Sequence, residues 1–162
     1  RDLLERQRMT GNPREIERKF LVTGDGWKKR ATGHTHIEQG YLAKGRRATI
    51  RVRIRDGKEA TLTIKSRERG ISRDEFEYKV PLKHARALMA LCGSARIEKQ
   101  RYTVPVGKLV WEVDAFLDRP DNLILAEIEL EREDQQIKLP DWVGEEVTAD
   151  PRYRNSSLVG DT

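Results

Sequence analysis

The stretch REIERKFLV, residues 14–22, has the period-two pattern of a β-strand. One face of this strand carries the large apolar residue Phe20, while the other face carries Glu15, Glu17 and Lys19. Carboxylates that lie side by side on one face of a strand repel each other. The charged face therefore needs a partner that balances it.

Seven further stretches are predicted as strands, and most of them show the same alternation: 36–42, 48–55, 60–66, 73–80, 96–104, 109–117 and 123–131. Asp56-Gly57 favours a tight hairpin between two of them. A helix is predicted over 81–92, because apolar residues recur at helical spacing between Pro81 and Gly93. The chain therefore has eight predicted strands and an amphipathic helix.

The charges on these strands are sorted by sign into Arg-x-Arg and Glu-x-Glu blocks. Any single charged block could simply be the solvent-facing side of an antiparallel strand. Solvent-facing sides, however, usually carry both positive and negative side chains across neighbouring strands. If the strands close into a barrel, the charged faces can turn inward and helices can cover the aliphatic faces. The predicted fold class is mainly β (α+β): a closed eight-stranded antiparallel barrel with a charged lumen, flanked by a few helices.

A lumen of this kind predicts two ligands. Blocks of Glu favour divalent cations, and clustered Arg and Lys favour a multiply charged anion such as a phosphate chain. Mg²⁺ is commonly held by one or two carboxylates together with substrate phosphates. Acidic and basic blocks that share one cavity therefore indicate a metal–polyphosphate complex.

Length and composition limit the alternatives. The 162 residues predict a single domain over 14–162 after a flexible leader at 1–13. A net charge of +5 favours anionic partners, but nucleic acid is disfavoured because basic residues lie between acidic blocks and only 6% of residues are aromatic. One cysteine excludes an internal disulfide, and no apolar run is long enough to cross a membrane, so we expect a cytoplasmic protein.

The ordered set of charged residues resembles the CYTH superfamily, the triphosphate tunnel metalloenzymes. The signature of that family, Glu-x-Glu-x-Lys near the N-terminus, stands here as Glu15, Glu17 and Lys19. The resemblance continues in order through Arg51-x-Arg53, Lys65, Glu75-x-Glu77, Lys99-x-Arg101, Asp114 in WEVDAF, Glu127-x-Glu129 and the ending DPRYRNSSL. It spans about 14 to 158.

The resemblance implies a role for each matching residue. The implied metal ligands are Glu15, Glu17, Asp114, Glu127 and Glu129. The implied phosphate-binding residues are Lys19, Arg51, Arg53, Lys65, Lys99, Arg101 and Arg154. The implied catalytic residues are Glu15, Glu17, Lys19, Glu127 and Glu129. For Glu75 and Glu77 two roles stay open: they hold a second metal ion, or they neutralise neighbouring guanidinium groups.

The resemblance also implies an activity. Compact bacterial members of the family include inorganic tripolyphosphatases, so we expect Mg²⁺- or Mn²⁺-dependent hydrolysis of tripolyphosphate to pyrophosphate and phosphate. The family's adenylate cyclases of the fourth class and its thiamine or nucleoside triphosphatases share the same charged residues and remain alternatives. A further alternative is a polyphosphate-binding module without turnover. A homodimer is left open.

Overall fold

A computed structural model describes residues 14–159 of the chain. The leader predicted over 1–13 lies outside the described residues. Within the part that the structure describes, no helix is both long and apolar enough to cross a membrane.

Residues 14–159 form nine strands and one α-helix. The strands are β1 (Arg14–Val22), β2 (Gly33–Lys44), β3 (Ala48–Arg55), β4 (Glu59–Ser66), β5 (Ser72–Val80), β6 (Arg96–Val106), β7 (Leu109–Phe116), β8 (Ile124–Glu129) and β9 (Val143–Glu146). Helix α1 (Leu82–Leu91) connects β5 to β6, and three short 3-10 turns lie at Gly26–Arg30, Pro151–Tyr153 and Asn155–Ser157. The eight predicted strands are confirmed as β1 to β8, although β2 extends further in both directions than predicted. Strand β9 was not predicted.

Strands β1 to β8 form a closed antiparallel barrel in the order β5-β4-β3-β2-β6-β7-β8-β1. The barrel closes where Arg14, Glu15 and Ile16 of β1 pair with β5. Further along the same edge of β1, β9 replaces β5 as the partner strand. In this order β3 and β8 lie on opposite walls, because four strand-to-strand steps separate them in either direction.

The alternation along each strand turns charged side chains inward and aliphatic side chains outward. On β3, Val52 and Ile54 pack outside the barrel against Ala85 and Met89 of α1, whereas Arg51 faces the interior. On the opposite side of the molecule, an aromatic cluster replaces the helix as the outer cover. There Trp111 of β7 packs edge-on against Phe20 and Trp142, with ring centroids 5.5 and 5.6 Å apart.

One end of the barrel is filled by apolar side chains. Ile97, Phe116 and Leu125 point inward at this end, and they cluster with Val147 and Leu158 of the C-terminal segment. All of them are buried except Leu158, which is half-buried. The charged part of the lumen therefore ends at an apolar layer instead of continuing through the barrel.

We expect the substitution Gly40→Ala to separate α1 from the barrel. A Cβ atom on Gly40 would come within 2.6 Å of Cys92 Sγ and 2.9 Å of Cys92 Cβ, so the end of the helix must shift to make room. Overpacking of this kind costs about 1–3 kcal/mol of unfolding free energy, measurable by denaturant titration. Gly33→Ala on the same strand is the control, because no atom lies within 4 Å of its added Cβ. Equal losses in both variants would contradict this close packing.

Candidate active site

A cavity of about 140 Å³ lies inside the barrel. It is roughly ten times larger than the smallest space that holds one water molecule. Acidic and basic side chains line it in nearly equal number, and every strand of the barrel except β2 contributes at least one of them; β2 contributes Tyr41. The predicted site residues that line it are Glu15, Glu17, Arg51, Arg53, Lys65, Glu75, Glu77, Lys99, Arg101, Glu127, Glu129 and Arg154. Of the predicted set, Lys19 and Asp114 do not line this cavity.

Two arginines of β3 face the cavity with no carboxylate within 4 Å among residues 14–159. Arg51 Nη2 donates one long hydrogen bond of 3.4 Å to Thr63 Oγ1, and its Nε has no partner. Arg53 Nε donates to Gln39 Oε1 at 2.8 Å. The cross-strand neighbours of both arginines are neutral, which is why neither finds a counter-ion: Tyr41 and Thr63 flank Arg51. Burial together with the charge of Arg51 lowers the pKa of Arg53. This wall therefore favours a bound anion.

The opposite wall presents two carboxylates that face each other. The register between β1 and β8 places Glu17 directly opposite Glu129, and like charges in that position repel. Burial, together with Glu127 and Glu15, raises the pKa of Glu17. Burial, together with the charge of Glu15, raises the pKa of Glu129 to about 8. A cation nearby would favour the ionised form of both carboxyl groups. We refer to Glu17 and Glu129 together as the acidic pair.

The acidic pair fits a divalent cation of the Mg²⁺ type. Mg²⁺ takes oxygen ligands and is usually held by one or two carboxylates, with waters and substrate phosphates completing its shell. In the described part of the chain, no three acidic, His or Cys side chains converge into a preformed metal cage. The donor set therefore suits a metal ion that is held jointly by the acidic pair and by an anion on the β3 side.

Asp114 lies outside the cavity in a fully buried ion pair. One of its oxygens accepts from Lys99 Nζ at 2.7 Å, and both accept from the guanidinium of Arg101, at 2.7 and 2.9 Å. Burial alone would raise the pKa of Asp114, but Arg101 and Lys99 hold it well below its usual range. These contacts give Asp114 a role in fixing two cations of the cavity wall, and its role as a metal ligand stays a prediction.

Lys65 of β4 is neutralised by two carboxylates. Its Nζ lies 2.8 Å from Glu15 Oε2 and 3.4 Å from Glu75 Oε2. Arg73 of β5 also contacts Glu15, at 3.2 Å. Of the two roles left open for Glu75, the contact with Lys65 favours neutralisation of a cation. Glu77 accepts a hydrogen bond from Thr63 at 3.3 Å, which favours neither role.

Lys19 connects β1 to the C-terminal segment. Its Nζ donates to the backbone oxygen of Tyr153 at 2.9 Å and lies 3.6 Å from Glu127 Oε1. Burial opposes its charge, yet Glu127 and Glu17 raise the pKa of Lys19. The side chain lines a small neighbouring cavity, which shares Glu17 and Arg154 with the main one. The predicted phosphate contact of Lys19 stays a prediction.

Some residues of the cavity were not predicted from the sequence. Arg73 could have been found, because it shares the inward face of β5 with Glu75. Asn155 carries no charge, so blocks of one sign could not reveal it. The same holds for Gln39, which does not line the cavity but hydrogen-bonds to Arg53 and Asn155. Asn155 also lies in a 3-10 turn, where a residue's direction cannot be deduced from alternation. Arg154, which was predicted, pairs with Glu68 at 3.3 Å and is partly exposed.

The family model described as "CYTH domain" matches residues 13–159. The chain forms a barrel of eight antiparallel strands around a cavity lined by side chains of both charges. The chain belongs to the CYTH domain family.

Relatives of the chain are named for one activity. An inorganic triphosphatase of Acetivibrio thermocellus is 45% identical over 147 residues, which cover 90% of this chain and 93% of the relative. An inorganic triphosphatase of Nitrosomonas europaea is 39% identical over 153 residues, covering 90% and 96%. A crystal structure of an inorganic triphosphatase is similar with a TM-score of 0.65 and 32% identity, covering 91% of this chain and 95% of that one.

Replacing Glu129 should change how stability depends on pH in the metal-free protein. The pKa of Glu129 is about 8 in the folded state and 4.5 as its ordinary value, so the folded protein binds more protons than the unfolded chain between these values. Its contribution to stability is therefore lost as pH rises through this interval. We expect Glu129→Gln to melt at a higher temperature than the wild type at pH 8.5 in EDTA, with a difference that shrinks towards pH 5.

Glu131→Gln is the matched control, since Glu131 lies two residues further along the chain and is exposed. It should leave the melting temperature nearly unchanged at both pH values. A Glu129→Gln variant that is less stable than the wild type at pH 8.5 would show that this carboxylate is not repelled by its neighbours.

Proposed function

We propose that the protein hydrolyses inorganic tripolyphosphate to pyrophosphate and phosphate with Mg²⁺ or Mn²⁺ as cofactor. The observation that carries this proposal is the position of two unbalanced charge groups across one cavity. Among residues 14–159, Arg51 and Arg53 form no ion pair with a carboxylate on one wall, and the acidic pair forms none with a cation on the opposite wall. A phosphate chain with a divalent ion would balance both. Two relatives that bear the name inorganic triphosphatase support the same substrate class.

The basic wall would hold and orient the phosphate chain. Arg51 and Arg53 can offer guanidinium N–H groups to phosphate oxygens without first breaking an ion pair. Lys65, Lys99 and Arg101 also line the cavity, but each is already held by a carboxylate and so is fixed in place. Donors that are fixed before binding stabilise the charge of the transition state with little reorganisation. Arg154 and Lys19 are assigned to the same phosphate-binding group.

The acidic wall would hold the metal ion. Glu17 and Glu129 are its first candidates as ligands, with Glu15 and Glu127 beside them. When bound, a divalent ion would neutralise part of the phosphate charge and lower the pKa of a water molecule. Glu15 and Glu127 are themselves partly neutralised by Lys65 and Lys19, so they keep the acidic pair close to the basic residues of the cavity. With the metal ion at the acidic pair and the phosphate chain at the basic wall, the two ligands would meet inside one cavity.

The chain's own residues would then orient one reaction. Water adds to a terminal phosphorus atom as the bridging P–O bond breaks, and pyrophosphate and phosphate are the two products. Cations along the basic wall neutralise the charge that develops on the leaving oxygen. Ile97, Phe116 and Leu125 close one end of the lumen, which limits the reacting chain to the charged part of the barrel. The cytoplasmic location and a homodimer remain predictions.

Release of phosphate from tripolyphosphate tests the proposal. We expect release with Mg²⁺ or Mn²⁺ and none in EDTA. Formation of cyclic AMP from ATP without tripolyphosphate hydrolysis would identify a cyclase, and preferential hydrolysis of thiamine or nucleoside triphosphates would identify those activities. Tight binding of tripolyphosphate by calorimetry with no product after long incubation would identify a binding module. Each of these three outcomes would overturn the proposal.

The substitution Arg51→Met should lower affinity for tripolyphosphate. It keeps much of the side chain's bulk and removes a guanidinium group that has no carboxylate partner in the described chain, so no new unpaired acid is created. We expect KM for tripolyphosphate to rise about tenfold or more, because hydrogen bonds between charged groups contribute about 1.5–3 kcal/mol. The folded state without ligand should be at least as stable as the wild type.

Arg132→Met is the control, because Arg132 lies in an exposed loop and pairs only with Asp134 among the described residues. Its KM should match that of the wild type. An unchanged KM in Arg51→Met would mean that the phosphate chain does not bind against β3.

A further inference from the structure

A chain of hydrogen bonds joins two basic strands of the cavity through the C-terminal segment. Arg53 Nε donates to Gln39 Oε1 at 2.8 Å, and Gln39 Nε2 donates to Asn155 Oδ1 at 3.1 Å. Lys99 Nζ donates to the same Asn155 oxygen at 2.9 Å and to Asp114 Oδ2 at 2.7 Å. Asn155 is therefore the junction between Arg53 on β3 and Lys99 on β6.

The chemistry of the end groups fixes the direction of both amides. Arg53 can only donate hydrogen bonds, and so can Lys99 as an ammonium group. Burial lowers the pKa of Lys99 to about 7, but the Asp114 carboxylate 2.7 Å from its Nζ favours the ammonium form. Gln39 must therefore turn its oxygen to Arg53, which leaves its nitrogen to donate towards Asn155. Asn155 must in turn offer its oxygen, and the two lone pairs of that oxygen are used by Gln39 and Lys99. A single orientation of each amide satisfies the whole network.

Asn155 also limits the direction in which Lys99 can donate. An ammonium group has three N–H donors. Two of those on Lys99 are taken by Asp114 and Asn155, and Lys99 lines the cavity although none of it is exposed to solvent. The third N–H is the one left for a ligand in the cavity. Without Asn155, Asp114 would be the one hydrogen-bond acceptor left to the ammonium group among residues 14–159, with the Phe116 ring 5.4 Å away, and the third N–H could turn away from the cavity.

We propose that Asn155 is a positioning residue for phosphate binding, which aims the ammonium of Lys99 and, through Gln39, holds the guanidinium of Arg53. This inference deepens the proposed function, because it takes tripolyphosphate as the ligand of the cavity. The C-terminal segment has its own attachments to the barrel, from Val147 N to Lys19 O at 2.8 Å and from Lys19 N to Thr148 Oγ1 at 3.0 Å. Substitution of Asn155 therefore removes the junction without releasing the segment.

The first experiment compares Asn155→Ala with the wild type by calorimetric titration of tripolyphosphate in EDTA, where no turnover occurs. We expect the association constant to fall about tenfold, as for loss of a hydrogen bond to a charged group. With metal present, KM should rise more than kcat falls, because the metal side of the cavity is untouched. Ser157→Ala is the control: Ser157 lies in the same 3-10 turn and is exposed, so binding should be unchanged. Unaltered binding in Asn155→Ala would overturn the proposal.

A double-mutant cycle separates positioning from direct contact with the ligand. In a Lys99→Met background, Asn155→Ala should reduce the association constant less than twofold, because the group that it positions is gone. A tenfold reduction in both backgrounds would show that Asn155 acts on tripolyphosphate directly, and this would overturn the proposal. If Lys99→Met does not fold, Gln39→Leu replaces it as the background. It removes only the link to Arg53, so Asn155→Ala should cost less there than in the wild type, and an undiminished loss would overturn the role of that link.

These experiments distinguish two failures. A wild type that binds tripolyphosphate in EDTA but never hydrolyses it would contradict the proposed function and leave the role of Asn155 testable by binding. A wild type that hydrolyses tripolyphosphate while Asn155→Ala behaves like Ser157→Ala would contradict the role of Asn155 alone.

Discussion

The closure of the sheet between β1 and β5 buries most of the inward-facing charges near the middle of the barrel, among them Lys65, Lys99 and Asp114. Buried charges are costly unless they are paired. Most of them are paired here: Lys65 with Glu15, and Arg101 with Asp114. In the described part of the chain, the arginines of β3 and the acidic pair form no such ion pair, and they lie on opposite walls. The ion pairs in the rest of the site use the other charges and leave these two groups for an anion and a cation from outside the chain.

Strand register explains why the charges are paired unequally. Lys65 has Glu75 as its cross-strand neighbour, and Arg101 has Asp114. Arg51, in contrast, lies between Tyr41 and Thr63, which carry no charge. The strand register therefore gives Lys65 and Arg101 a carboxylate neighbour and gives Arg51 none. A buried arginine without an ion pair destabilises the free protein. A ligand that pairs with this arginine removes the destabilisation on binding, so the ligand binds more tightly.

The sequence determined most of the fold because a single rule, alternation, decides which side chains turn inward once the sheet closes. This rule identified eleven of the residues that line the cavity; the twelfth predicted residue, Arg154, lies outside the strands. It could not show what each of them contacts, since contacts across the lumen depend on register and barrel order. Lys19 and Asp114 illustrate this limit: both face inward, yet Lys19 contacts the Tyr153 carbonyl and Asp114 is enclosed by two cations.

The alternation rule could not predict segments that lack an alternating pattern. Strand β9 has four residues and forms because it takes over the edge of β1 that β5 leaves free. The apolar layer at one end of the lumen combines Phe116 and Leu125 with the C-terminal segment, so it exists only after that segment has docked. Asn155 enters the cavity from the same segment. These features are long-range consequences of closure, and no local pattern in the sequence encodes them.

In the proposed complex, a metal ion and a phosphate chain lie between opposite walls of one barrel. The most direct measurement is the anomalous diffraction of crystals grown with Mn²⁺ and a tripolyphosphate analogue whose bridging oxygens are replaced by groups that resist hydrolysis. The account predicts an anomalous peak next to Glu17 and Glu129, with analogue oxygens within hydrogen-bonding distance of Arg51 and Arg53. Phosphate density away from β3, or manganese away from the acidic pair, would contradict it.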